Sequence, residues 1–273
     1  MSETDSRIAE AVVFASLHAP DPLQIPALFK RPEAASGRAP AVVIAHGSAG
    51  IDSRGPSYSR ALNAAGIATL EIDMWAARGL KGGLDRPKVI QDTLPDVFGA
   101  FRWLAARPDI DAARIGIMGF SWGGVLSMLS ATKPYAERYL KPGERFAAHA
   151  PLYPVCWVYN RVPGFEFKEF TGAPVFIQCG ADDTYDEPDT GEKLVRSLEV
   201  FAPGLLSITT YPNATHAFDR AEPAMTITDP FSHVGKGGQV FFAPNSEAAE
   251  AATAATVGFF RGVLGLGGDP AHR

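Results

Sequence analysis

Gly119-Phe120-Ser121-Trp122-Gly123 is preceded by the apolar run Ile115 to Met118 and followed by Val125 to Ser130, a segment that favours a helix. A G-x-S-x-G pentapeptide in that context predicts a strand, a sharp turn and a helix. Such a turn holds the serine proud of the fold, where a neighbouring base can activate its hydroxyl. The glycines two before and two after Ser121 suit a turn so tight that strand and helix leave no room for side chains. Without its flanks the same pattern reads as an ordinary Gly/Ser loop.

Outward from this turn, apolar runs alternate with longer helix-favouring segments, the pattern of β-α-β units in a mostly parallel sheet. Strands are expected at Ala41 to Ala45, Ile67 to Ile72, Ile115 to Phe120, Ala147 to Leu152, Val175 to Gln178 and Leu206 to Tyr211. An antiparallel pair is expected near Ala11 to Phe14 and Ala27 to Phe29. Helices are expected at Ser57 to Ala65, Val89 to Ala106, Gly123 to Ser130, Thr190 to Phe201 and Ser246 to Leu264. The Pro/Gly-rich stretch Ser232 to Asn245 reads as a long surface loop. No internal repeat or low-complexity linker interrupts the chain. The expectation is one α/β domain over 1–273, a mostly parallel central sheet flanked by helices on both faces, with short flexible termini.

Composition narrows the function classes. The 273 residues are 46% hydrophobic, enough for a large core. A net charge of -5 without a Lys/Arg cluster excludes the usual nucleic-acid footprint. Met1 to Glu10 is polar where a signal peptide needs an apolar centre, and no run of about 20 apolar residues is present, so a soluble, cytoplasmic protein is expected. Two cysteines, Cys156 and Cys179, read as free thiols rather than a disulfide framework. His18, His149, His233 and His272 lack metal-ligand spacing, and Gly235-Lys236-Gly237-Gly238 lacks that of a phosphate loop, so neither a metal site nor a phosphate loop is expected.

In parallel sheets catalytic groups gather at the C-terminal ends of the strands. Ser121, the pair Asp182 and Asp183, and His216 each follow an expected strand, in the order nucleophile, acid, base that α/β-hydrolases use. Asp183, three residues past Gly180, is the expected acid and Asp182 the alternative. An acyl-transfer site also needs two backbone N–H groups facing the oxyanion. Trp122, after the nucleophile, and Ser48, in the loop His46-Gly47-Ser48-Ala49-Gly50, are the expected donors. His46 is read as a structural neighbour. Glu71 and Asp73 are read as capping or loop residues, and Trp75, Trp122, Trp157 and Tyr159 as lining a pocket or joining the core.

Several of these segments resemble the dienelactone hydrolase family of the α/β-hydrolase superfamily. The resemblance rests on Ala41 through Arg78, on Asp111 through Gly124, on Gly180 to Asp183 and on Thr215-His216-Ala217-Phe218, and it spans most of the chain. It implies a compact single domain and hydrolysis of esters or lactones with no metal or organic cofactor. The family's best-known members carry a cysteine where Ser121 stands and a glutamate where Gly47 stands, so the resemblance here implies a broader esterase or lactonase. It further implies that Arg220 and, offset by one residue, Arg78 grip a substrate carboxylate. The expected partner is a small-molecule ester or lactone, with no nucleic acid or membrane, and the chain a monomer or homodimer. A serine peptidase or acyltransferase on the same fold is the alternative, and a non-catalytic small-ligand binder a further one.

Overall fold

In the computed structural model the described residues are 9–33 and 37–266. His272, residues 1–8 of the leader reading and the expected flexible termini lie outside them. The central sheet contains β1 (Ala9–Ala15), β2 (Gln24–Lys30), β3 (Ala39–Ala45), β4 (Ala68–Ile72), β5 (Ile110–Phe120), β6 (His149–Leu152), β7 (Val175–Gly180) and β8 (Leu206–Tyr211). Their order is β1-β2-β4-β3-β5-β6-β7-β8. The pairs β1–β2 and β2–β4 are antiparallel, and all later pairs are parallel.

β3 and β4 are buried along their whole length because the sheet is covered on both faces. The strand period of two divides β3 between two cores. Val42 and Ile44 pack with Tyr58 and Leu62 of α1 (Arg54–Ala64) and with Phe260 of the C-terminal helix. Ala41, Val43 and Ala45 face the opposite way, toward Val97 and Phe101 of α2 (Leu94–Ala105) and Leu126 of α3 (Trp122–Ser130). The fold is therefore α/β, with helices on both faces of a mostly parallel sheet.

The structure departs from sequence expectation in four places. The helix expected over Val89 to Ala106 is a 3-10 turn, Ile90–Thr93, followed by α2, because Pro95 has no N–H to extend the helix backward. A short helix, α4 (Lys133–Tyr139), was not anticipated, and α5 (Thr190–Leu198) stops three residues early. Most consequentially, Ser232 to Asn245 is not simply a loop. It holds the one-turn element α6 (Ser232–Gly235) and β10 (Gly238–Phe242), which pairs antiparallel with β9 (Met225–Asp229). Val240 is buried while Gln239 and Phe241 are exposed, a strand alternation too short to stand out among glycines and prolines. α7 (Ser246–Val263) then closes the chain, with the Asn245 side chain accepting from the Ala248 amide as its cap.

Candidate active site

The turn at the end of β5 confines Ser121 to φ 49°, ψ -105°, and its backbone N–H donates to the Leu152 carbonyl at 3.0 Å. A Cβ at Gly119 would overlap the Gly123 backbone, and one at Gly123 would overlap the Ala45 carbonyl. The two glycines are thus required by the close approach of β5, α3 and β3, and that approach projects the serine hydroxyl from the sheet edge.

His216 follows β8 and is 3% exposed. Its Nε2 lies 2.9 Å from Ser121 Oγ and its Nδ1 lies 2.7 Å from Asp183 Oδ2. An ionised carboxylate can only accept, so Nδ1 carries the hydrogen and Nε2 is left to accept from the serine hydroxyl. Asp183 Oδ1 accepts the Tyr185 N–H at 2.9 Å, which fixes the carboxylate plane. Asp182 is exposed, and its backbone N–H donates to Ala214, so the structure brings Asp183 and not Asp182 to the imidazole. Three aromatic rings surround that imidazole: Tyr185 at 4.2 Å, Tyr153 at 4.8 Å and Phe242 of β10 at 5.6 Å between centroids.

The loop after β3 is braced from several sides. Burial holds His46 down to a pKa of about 4. Neutral at physiological pH, it donates from Nδ1 to the Gly47 carbonyl and accepts the Met74 N–H at Nε2. The Ser48 carbonyl accepts from Trp75 Nε1 at 3.0 Å and from the Gly83 N–H at 2.7 Å, and the Gly123 N–H reaches the His46 carbonyl at 3.1 Å. Among the described residues, no backbone carbonyl takes the N–H of Ser48 or of Trp122. The Trp122 amide stands in the first turn of α3, where the helix dipole favours negative charge. Asp73 caps the following turn, accepting from Trp75 and Ala76.

Two cavities meet at Ser121. One of about 310 Å³ is lined mainly by apolar groups, among them Trp122, Val125, Trp157, Phe165 and Phe231. The other, about 30 Å³, is bounded by Gly47, Arg54, His216, Ala217, Arg220 and Phe242. Ser48, Ser121 and Tyr185 border both. Of the other aromatics, Trp75 packs edge-on against Trp122, and Tyr159 is a core residue.

The two expected substrate arginines separate. Arg220 reaches the smaller cavity, its Nε 3.5 Å from Asp52 and 3.4 Å from Glu222. Arg78 does not reach either. Its guanidinium is held by Asp96, at 2.7 Å, and by the Met74 carbonyl, at 2.9 Å. Even with that partner, burial keeps the Asp96 pKa raised to about 6.

Sequence reasoning missed the basic residues that do line the site. Arg54 pairs with Asp52 at 2.6 Å and donates to the Tyr153 hydroxyl, which donates to Asp219. Arg86 pairs with Asp229 of β9 at 3.0 Å and lies over the Trp122 ring. The Arg54–Tyr153 and Arg86–Asp229 contacts cross 99 and 143 residues of chain, so no local motif announces that these arginines line the site. Asp186 was missed as well. It accepts the Cys156 and Trp157 amides at 2.7 Å each, and burial, then the Asp183 charge, push its pKa up to about 7. Cys156 and Cys179 are free, with sulfurs 4.0 Å apart. Among the described residues no group of three or more His, Cys, Asp and Glu is placed to hold a metal ion, and no helix is long and apolar enough to cross a membrane.

The dienelactone hydrolase family model matches residues 25–264. The chain belongs to the dienelactone hydrolase family. Among curated proteins it is 30% identical over 171 residues to an uncharacterized protein of Mycobacterium tuberculosis, covering 60% of this chain and 59% of that protein. The chain thus spans about three-fifths of the length of that relative. The solved dienelactone hydrolase from Anabaena variabilis superposes with a TM-score of 0.57 at 21% identity, over 93% of this chain and 99% of that one. Esterase 2 of the planctomycete Thermogutta terrifontis, with propionate bound, superposes with a TM-score of 0.65 at 17% identity, over 94% of each chain. At these identities the likeness is one of fold. Within this family member the space beside Gly47 is filled. A Cβ at that position would lie 3.1 Å from Arg54 Nη2 and 3.3 Å from the Phe120 carbonyl, so a longer side chain would have to displace the guanidinium.

Proposed function

We propose that this dienelactone hydrolase family member is a serine hydrolase of carboxylic esters or lactones, working through an acyl-enzyme within the single domain. The observation that carries the reading is the hydrogen-bonded chain Ser121, His216, Asp183 at the meeting point of two cavities. His216 Nε2 takes the Ser121 proton as Oγ attacks the substrate carbonyl. The developing oxyanion is held by the Ser48 and Trp122 amides, donors that need no reorganisation during the reaction. The proton passes from Nε2 to the departing alkoxide, and water then releases the acid by the same path in reverse. Asp183 holds the imidazole tautomer and offsets the charge of the imidazolium. No step needs a cofactor.

Arg220 is assigned to carboxylate-bearing substrates, supported by its place at the small cavity and by a planar fork that pairs bidentately with a carboxylate. The test is labelling of the purified chain by a fluorophosphonate probe, followed by turnover of a short-chain p-nitrophenyl ester. Labelling and turnover in the wild type, both lost in Ser121→Ala, are expected. Equal turnover in the two proteins would remove Ser121 from the mechanism.

A further inference from the structure

The two cavities beside Ser121 differ in size by an order of magnitude, about 310 Å³ against about 30 Å³. They also differ in what borders them. His216 faces the small cavity and is not among the residues lining the large one. The large cavity is walled by Trp122, Val125, Trp157, Phe165 and Phe231. Of its two cations, Arg86 is matched by Asp229 and Lys88 is exposed to solvent.

This asymmetry has a chemical reading, which rests on the serine hydrolase assignment above. When the tetrahedral adduct collapses, the bond from the acyl carbon to the alkoxy oxygen breaks, and that oxygen must take the proton held on His216 Nε2. Proton transfer requires the oxygen within about 3 Å of Nε2. The alkoxy group therefore lies on the imidazole side, in the small cavity, and the remaining substituent of the acyl carbon points into the large one. We infer that this chain is selective for esters of a bulky apolar acid with an alcohol of one or two carbons, and that a substrate carboxylate, where there is one, is carried on that short alkoxy group beside Arg220.

The same geometry serves the second half-reaction. After the alcohol leaves, a space of about 30 Å³ bordered by His216 and Arg54 accommodates a water molecule within reach of Nε2. That water gives its proton to Nε2, its oxygen bonds to the acyl carbon, and the Ser121 Oγ bond breaks with the proton returned to the serine. The sum is ester and water to acid and alcohol, with no other reactant.

A pair of isomeric esters with the ester group reversed tests the inference: methyl 3-phenylpropanoate, which has a bulky acid, and 2-phenylethyl acetate, which has a bulky alcohol. With each kcat/KM divided by the ester's hydroxide-catalysed rate constant, the methyl ester is expected to be favoured by roughly 100-fold, since even a misfitted methylene costs about tenfold or more. Phe242→Ala, which opens the small cavity, is expected to narrow that ratio by about tenfold. Equal rates, or preference for the acetate, would overturn the orientation while leaving the hydrolase reading intact. Failure of both esters, together with no labelling by the fluorophosphonate, would remove the hydrolase reading and the orientation with it.

Discussion

His216 Nε2 lies 2.9 Å from Ser121 Oγ across 95 residues of chain, and the imidazole is 3% exposed. The contact is set by two sheet positions. Ser121 follows β5 near the middle of the sheet and His216 follows β8 at its edge, with β6 and β7 between them. The turn after β8 must therefore fold back over the ends of two strands, and Asp183 at the end of β7 meets it on the way.

Ser121→Ala is expected to retain the fold and to lower ester turnover by roughly three orders of magnitude or more, and His216→Ala to do comparable damage, because these groups act as a unit. Steady-state kinetics alongside thermal unfolding checks it. Turnover near the wild-type level in either variant, with the fold intact, would reject the mechanism.

Asp183→Asn is expected to cost roughly 10³-fold or more in kcat, since an amide can stabilise the wrong imidazole tautomer. Asp182→Asn should stay within a few-fold of wild type, its side chain being exposed. The reverse ranking would move the acid to Asp182.

The arginines should part company. An ester whose short alkoxy group bears a carboxylate is expected to be favoured over its neutral methyl-ester analogue, and Arg220→Ala to erase that preference chiefly through kcat/KM. Arg78→Ala should leave the preference alone and instead destabilise the protein by about 3 kcal/mol, because it strands Asp96, a wholly buried carboxylate, without its partner. Denaturant titration and the paired-substrate assay separate the two effects.

The buried histidine of β6 should govern part of the acid response. His149 is wholly buried, and that burial lowers its pKa from 6.5 to about 3. Between those values the unfolded chain binds a proton that the native state does not. The stability His149 contributes is therefore complete above pH 6.5 and is lost as pH falls toward 3. Replacing it by leucine should reduce the loss between pH 7 and pH 5 by about 2 kcal/mol, from 1.5 pKa units at 1.36 kcal/mol each. Urea unfolding at the two pH values measures it, and an unchanged pH dependence would contradict it.

Local sequence was enough for the elements whose signal is local. The eight sheet strands, the Ser121 turn and the placement of Asp183 and His216 after their strands could each be read because strand apolarity, glycine spacing and strand-end polarity all lie within a few residues of one another. The β9–β10 hairpin was not readable, since its pattern is short and its pairing depends on glycines at Gly235, Gly237 and Gly238 that also suit a loop. Tertiary structure alone decided what surrounds the site. Whether an arginine faces the site or a buried carboxylate depends on which distant group the fold delivers: Asp96 takes Arg78 away from the two cavities, while Tyr153 and Asp229 hold Arg54 and Arg86 at them. The sizes of the two cavities are likewise a property of the packing, set by side chains from β10, α3 and the loops after β3, β4, β6, β7 and β8, which no window of sequence contains.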